Sequence, residues 1–270
     1  LSKESFHQHW LKEFPDVALE STKFFVAISG GVDSVVLAHL MKSLGASIEL
    51  VHANFQLRGA ESKRDQDFVT KYATTLGVHC NIQLFDTQQY AQMYQMGIQE
   101  AAREIRYAWF SRLLDESKEK NHQQPYLVTA HHADDQVETV LMQLARGTGL
   151  HGLTGIPSKR TDSVHVVRPL LIFSKDQIIQ YANENDLYYV EDSSNLKADY
   201  TRNLIRLEMI PKLQKVFPQV SQNMVQTIER LKESEQIVDA TIASFWKLGR
   251  KKYKGIEKFE IVFLLRQYSG

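Results

Sequence analysis

Cysteine is almost missing from this chain: Cys80 is the sole one among 270 residues. That excludes an intramolecular disulfide and any multi-cysteine metal site built from these residues. Cys80 lies in the alternating stretch Val78-His79-Cys80-Asn81-Ile82, which predicts a small buried hydrophobe rather than a nucleophile. No apolar run approaches transmembrane length, and residues 1–20 carry no signal-peptide pattern. The expectation is therefore a cytoplasmic protein with no membrane partner. An excess of charge is lacking too, because 32 basic residues cancel 32 acidic ones. The global field argues neither for nor against a nucleic acid, and local patches must decide. No internal repeat or low-complexity tract interrupts the chain.

What is present reads as a globular α/β protein. Apolar content of 43% and charged content of 24% are those of a folded domain with a sizeable core. Five segments have strand character: 24–28, 48–54, 79–85, 126–130 and 164–170. Helical stretches at 33–44, 61–76, 98–116 and 134–145 lie between them, with Gly45 and Gly77 as C-caps of the first two. Alternating strands and helices predict a doubly wound, mostly parallel five-stranded sheet covered on both faces. Beyond Pro169 the pattern turns helical. Ser174 and Gln177 form a capping box for a helix to about Asn185. Val220, Met224, Ile228, Leu231, Val238, Ile242 and Phe245 recur at helical spacing. The chain divides into a catalytic domain over 1–210 and a C-terminal helical appendage over 211–270. Its apolar end at Phe263–Tyr268 has no clear stop, and the expectation is that the appendage continues further.

The most telling local feature is Ser29-Gly30-Gly31-Val32-Asp33-Ser34, between an apolar strand and an apolar helix start. Backbone N–H groups of such a turn and the positive end of the helix dipole converge on an anion. The common phosphate loop ends in Gly-Lys-Ser/Thr, but this one has no lysine and carries Asp33 instead. An acid there tolerates phosphate only with a cation between them, which points to Mg²⁺-bound pyrophosphate. In a parallel sheet the loop falls on the C-terminal rim of the strands, where ligands bind.

Three further runs bear on chemistry. Ala130-His131-His132-Ala133-Asp134-Asp135-Gln136-Val137-Glu138-Thr139 begins where the fourth strand ends. Asp135 and Glu138 share a helix face, and so dense an acid–histidine set suits a cation or a substrate amine. An N-cap with its box partner would account for a single carboxylate of the set. Arg103 and Arg106 share another helical face and suit phosphate, although a surface Glu–Arg ladder through Glu100 and Glu104 fits the same spacing. Arg202 and Arg206, four apart after Glu191-Asp192-Ser193-Ser194-Asn195, form an anion grip by composition; exposed solvated arginines fit equally. A last basic patch joins Lys247, Arg250, Lys251, Lys252 and Lys254 with Trp246 and Tyr253, and a solvated helix end is its commoner explanation.

Together these runs resemble the tRNA(Ile)-lysidine synthetase family of N-type ATP pyrophosphatases, the PP-loop superfamily. Ser-Gly-Gly-Val-Asp-Ser marks only the superfamily. His131–Thr139, continued by Arg146-Gly147-Thr148-Gly149-Leu150, is far more specific, as is Arg202-Asn203-Leu204-Ile205-Arg206 after Asp192–Asn195. The resemblance covers about residues 20–215 and implies an adenine nucleotide alpha hydrolase-like fold. It further implies a two-step reaction: ATP activates C2 of the wobble cytidine of isoleucine tRNA with a CAU anticodon, and the ε-amine of free L-lysine then displaces AMP. Ser29, Gly30, Gly31, Val32 and Ser34 would hold the ATP pyrophosphate, and Asp33 would hold Mg²⁺ through it. Ala53 and Asn54 would face adenine or ribose, and Arg103 and Arg106 would neutralise phosphate charge. Asp135 and Glu138 would bind lysine, with one carboxylate or His132 taking its proton. Arg202 and Arg206 would grip the tRNA or the adenylate. A homodimer is compatible with this resemblance.

Two positions depart from the family pattern: Phe55 and Leu207 stand where histidine is common. Other PP-loop enzymes are the nearest rivals. A tRNA thiolase of this kind usually needs paired cysteines, and an amidotransferase needs a nucleophilic one. An ammonia-dependent synthetase has no use for the arginine-rich second half. A non-catalytic tRNA-binding relative would not need an intact phosphate loop.

Overall fold

The computed structural model describes residues 1–190, 201–253 and 256–259, with backbone alone from residue 246 onward. Strand β1 (Lys23–Ala27) sits at the middle of the sheet because its residues are apolar on both faces. Phe24 and Val26 point into one core with Phe6, Trp10, Leu37, Leu40 and Ile178. Phe25 points the opposite way, against Trp109, Phe110, Leu114 and Leu127. Period-two alternation thus feeds two helical layers from one strand.

The other strands are β2 (Ser47–Asn54), β3 (Cys80–Leu84), β4 (Tyr126–Val128), β5 (Lys159–Arg160) and β6 (Val166–Val167). They lie in the order β3-β2-β1-β4-β6-β5. Pairing is parallel throughout, with Ala27 opposite Val51 and Val26 opposite Val128. The exception is β5, a two-residue edge strand antiparallel to β6. The sheet therefore has six strands rather than the five expected, since a pair as short as Lys159-Arg160 leaves no periodicity to read. The chain leaves β1 toward β2 and returns to pair β4 on its other side. A crevice opens between the C-terminal ends of β1 and β4 at this switch point.

Helix α1 (Lys3–Glu13) was not anticipated. Its N-terminus is closed by a reciprocal Ser2–Ser5 capping box, and Phe6 and Trp10 are fully buried. The Trp10 indole donates to the Val17 carbonyl at 2.9 Å, satisfying the one polar atom it buries. Helices α2 (Val32–Ser43), α3 (Ala60–Leu76), α5 (Ile98–Asn121), α6 (Ala133–Arg146) and α8 (Lys175–Glu184) fall within a few residues of expectation, and the short α4 (Thr87–Met93) and α7 (Leu150–Leu153) are additions. Gly77 closes α3 in the left-handed region as expected. Cys80 is partly buried against the first core, and burial pushes its thiol up to about 11.

After α9 (Thr201–Leu204), one π-helical turn over Ile205–Met209 leads into α10 (Ile210–Val216) and the 30-residue α11 (Val220–Gly249). Ile205, Ile210, Met224 and Val225 pack with Val137 of α6, so the start of α11 is fastened to α6. Farther along the same stripe Ile237, Val238 and Ile242 are exposed. The backbone then forms the antiparallel pair β7 (Arg250–Tyr253) and β8 (Ile256–Phe259), so the helix ends at Gly249 and Arg250–Tyr253, expected as part of a helix end, form a strand. The basic side chains of that patch lie outside the described residues. Among the described residues no helix is long and apolar enough to cross a membrane.

Candidate active site

The loop after β1 takes its shape from its own small side chains. Gly30 has φ +96°, and a Cβ there would meet Val190 Cγ2 at 2.7 Å and Phe68 at 3.3 Å, so only glycine fits. Gly31 is the N-cap of α2 and uses no side chain for the purpose. Ser34 Oγ donates to the Gly31 carbonyl at 2.9 Å and accepts from the Ser29 N–H at 3.2 Å, while Ser29 Oγ accepts from the Gly31 N–H. The two hydroxyls expected on a phosphate therefore brace the loop first. What the loop presents outward is backbone: Val32 and Asp33 occupy the first turn of α2, where N–H groups have no intrahelical acceptor.

Opposite this loop, the residues after β4 form the second lip of the crevice. His132 is the N-cap of α6, and its backbone N–H donates to Asp135 Oδ2 at 3.0 Å. Asp135 is thus the box partner, rather than the cap or Glu138. The buried His132 ring lies among carboxylates: Asp134 at 3.3 Å, Asp135 at 3.6 Å and Asp33 at 3.9 Å. Burial alone would lower its proton affinity, but the three acids outweigh that and hold it above its ordinary value. The adjacent His131 behaves oppositely. Burial, with Arg168, Arg202 and Arg106 nearby, brings it down to about 4 against the pull of Asp135. Its Nδ1 lies 2.9 Å from the Thr129 hydroxyl, and it borders the cleft. Two neighbouring histidines on one turn are therefore shifted in opposite directions, His132 up by its carboxylate neighbours and His131 down by burial.

Glu138 is completely buried, and both its oxygens are engaged. Arg202 Nε donates to Oε2 at 2.8 Å, Arg206 Nε to Oε1 at 2.5 Å, and a second Arg206 nitrogen to Oε2 at 3.0 Å. Both guanidinium groups also reach Asp135 Oδ1, at 3.4 and 3.3 Å. Two sets expected to act separately, acids on lysine and arginines on RNA, are brought together and paired. Glu138 is thus the buried anchor of Arg202 and Arg206. The π-helical turn that holds Arg206 widens the helix locally, as such turns often do at functional sites. The run Glu191–Asn195 lies outside the described residues.

Sequence reasoning overlooked Lys175. Its Nζ lies 2.6 and 2.7 Å from the two Asp33 oxygens, and its backbone N–H donates to Asp134 Oδ2 at 2.8 Å. It stands first in α8, behind the N-cap Ser174. In the charged ring Asp33, Asp134, Asp135 and Glu138 face Lys175, Arg202 and Arg206, with the His132 ring among the carboxylates.

The crevice is a cleft of about 1270 Å³ bordered by Ser29, Asp33, Ala53, Arg103, Arg106 and His131, among others. Asn54 borders it too but spends its amide elsewhere, donating to Gln66 Oε1 at 2.8 Å and the Ser62 carbonyl and accepting from Gln56 N–H. Ala53, small and at the strand end, is left as the residue that opens space. Arg106 lies 6.0 Å over the Phe55 ring, which stacks on Phe85. Arg103 and Arg106 both flank Tyr107. Neither makes an ion pair among the described residues, which disfavours the Glu–Arg ladder, and burial lowers the proton affinity of Arg106. Among the described residues no three His, Cys, Asp or Glu side chains form a metal-binding group. A metal here would lean on Asp33 and complete its shell with phosphate and water oxygens, a hard donor set that fits Mg²⁺.

Known proteins resemble this chain in sequence and in fold. A sequence model of the PP-loop domain matches residues 3–213. A tRNA(Ile)-lysidine synthase of Bacteroides thetaiotaomicron is 40% identical over 224 residues, 83% of this chain and 51% of that protein. The Bacillus subtilis protein of the same name is 37% identical over 229 residues, 83% of this chain and 48% of its own length. The chain spans about half the length of the curated relatives it matches. Among solved structures, a U34-tRNA thiolase from Methanococcus maripaludis with its [4Fe-4S] cluster superposes with a TM-score of 0.68 at 22% identity, over 86% of this chain and 78% of that one. That likeness is one of fold.

Proposed function

This chain belongs to the PP-loop domain family, and from that premise we propose that it carries the catalytic domain of a tRNA(Ile)-lysidine synthase. The observation that carries the reading is the charged ring of Asp33, Lys175, His132, Asp135, Glu138, Arg202 and Arg206 at the switch point, directly against the loop after β1. In the first step O2 of the wobble cytidine attacks the α-phosphorus of ATP, and the bond to pyrophosphate breaks. The N–H groups opening α2 hold the departing pyrophosphate, and Arg103 and Arg106 offset charge gathering on the phosphates. Mg²⁺ on Asp33, when bound, would screen that charge further.

In the second step the lysine ε-nitrogen attacks C2, and the C2–O bond to AMP breaks. The amine arrives as an ammonium. Asp135, which still faces the cleft, draws it in, and its proton passes to a carboxylate of the ring as the C–N bond forms. Arg202 and Arg206, anchored on Glu138, present their remaining N–H groups to the adenylate. The substrates proposed are thus ATP, free L-lysine and isoleucine tRNA with a CAU anticodon, met in the cytoplasm, and residues 211–270 form a tRNA-contacting appendage. Sulfur transfer is disfavoured, because the only cysteine is on β3 with its thiol pushed up to about 11.

The test supplies ATP, Mg²⁺ and labelled lysine to that tRNA. Lysine-dependent AMP release with label in the tRNA is expected, and Asp33→Asn should abolish both while keeping the fold. Release of AMP without label in RNA would refute lysine transfer.

A further inference from the structure

We propose that Lys175 is the phosphate-binding cation of this site, stored on Asp33 and handed to the outer phosphates when a metal-bound polyphosphate arrives. The inference rests on the reading of the loop as a pyrophosphate holder and adds a residue to it. The loop carries no lysine where a common phosphate loop has one to reach the outer phosphates. The tertiary structure supplies one from 142 residues away. Lys175 Nζ contacts both Asp33 oxygens, at 2.6 and 2.7 Å, so it sits on the very pair of atoms that a divalent cation on Asp33 would require. Two cations cannot share one carboxylate edge without strong repulsion. Metal arriving with phosphate therefore displaces the ammonium, whose nearest new partners are the phosphate oxygens brought in beside it.

The geometry allows that exchange without backbone motion. The Lys175 N–H is pinned by Asp134 and the Ser174–Gln177 capping box fixes the helix start, so the Cα is held in place while the side chain reaches Asp33. The side chain itself is 38% exposed, leaving its four-carbon stem free to swing. Asp33 does not hold an uncompensated charge before the ligand comes, and the His132 ring remains 3.9 Å away. A lysine on a distant helix thereby does the work of the missing loop lysine, with the resting ion pair keeping the acid from repelling its own ligand.

The experiment is calorimetric titration of magnesium pyrophosphate, MgATP and AMP into the wild type, Lys175→Met and Lys175→Arg, with manganese binding followed separately by electron paramagnetic resonance. Lys175→Met should weaken pyrophosphate and MgATP about tenfold or more, the scale of one charge-assisted contact. Lys175→Arg should keep most of the affinity, and AMP, lacking the outer phosphates, should bind all three proteins alike. Manganese alone should bind Lys175→Met more tightly than the wild type, because its competitor on Asp33 is gone; a loss confined to ligands with outer phosphates is what a merely structural lysine would not produce. Pyrophosphate affinity within about twofold of wild type in Lys175→Met would overturn the proposal while leaving the loop reading intact. Equal losses for AMP and pyrophosphate would also overturn it, assigning Lys175 to folding alone. A wild type that binds neither pyrophosphate nor MgATP would overturn the loop reading and this proposal together.

Discussion

His131 should make the folded protein sensitive to mild acid. In the folded state its proton affinity is brought to about 4 by burial and by the arginines around it, whereas in the unfolded chain it is near 6.5. Above pH 6.5 both states hold a neutral ring, and stability from this source is complete. As pH falls toward 4 the unfolded state takes up a proton that the folded state refuses, so stability drops with each decade. About 2.5 decades at about 1.4 kcal/mol each make the full loss about 3.5 kcal/mol. His132 works in the opposite sense, its contribution being lost only as pH rises through a value above 6.5; below about pH 5.5 it is protonated in both states and adds no slope. His9, His39, His52 and His165 are also held low by burial and share the acid limb, so the informative quantity is a difference. Urea unfolding read by the fluorescence of buried Trp10 and Trp109 at pH 7, 6, 5 and 4 supplies it. His131→Asn retains a polar atom for Thr129 but cannot titrate. It should lose about 3 kcal/mol less than the wild type between pH 6.5 and 4. Parallel losses in the two proteins would refute the assignment of a strongly displaced imidazole.

Two further substitutions probe the frame around that histidine. Gly30→Ala forces a Cβ to 2.7 Å from Val190 in a backbone with φ +96° and should cost about 1–3 kcal/mol in thermal unfolding together with MgATP affinity; unchanged melting and binding would show the loop to be freely remodelled. Glu138→Gln leaves two guanidinium groups short of their buried counter-charge. Because Arg202 and Arg206 are themselves 38% and 34% exposed, the cost should be about 2 kcal/mol, below the 3–5 typical of a fully buried pair. That corresponds to a melting temperature about 4–8 °C lower, and a shift under about 1 °C would mean the pair contributes nothing to docking α9 on α6.

Much of the frame could be read before any coordinates. The strands at 24–28, 48–54 and 126–130 announce themselves because a central parallel strand must be apolar on both faces. Gly30 and Gly31 announce a turn because few other residues tolerate its backbone. The same reading passed over α1, although Phe6, Trp10 and Phe14 recur every fourth residue and its capping box is short-range. It passed over β5 because two residues carry no period.

The partnerships are a different matter. Spacing placed Asp135 and Glu138 on one helix face and Arg202 and Arg206 on another, and both placements follow from 3.6 residues per turn. Nothing in spacing says that the second face docks on the first, 64 residues away in the chain. Lys175 carries no local signature, since a lysine in the first turn of a helix is ordinary until the fold sets it 2.6 Å from Asp33. The opposite shifts in proton affinity of His131 and His132 likewise depend on which neighbours each ring meets after folding. Local sequence determined the strand–loop–helix device, its place on the rim and the kinds of side chain gathered there, because turn chemistry and periodicity act over a few residues. Which charges neutralise one another, and which remain for a ligand, was decided only by tertiary packing, because Coulomb energy and desolvation depend on distances that the chain sets when it closes.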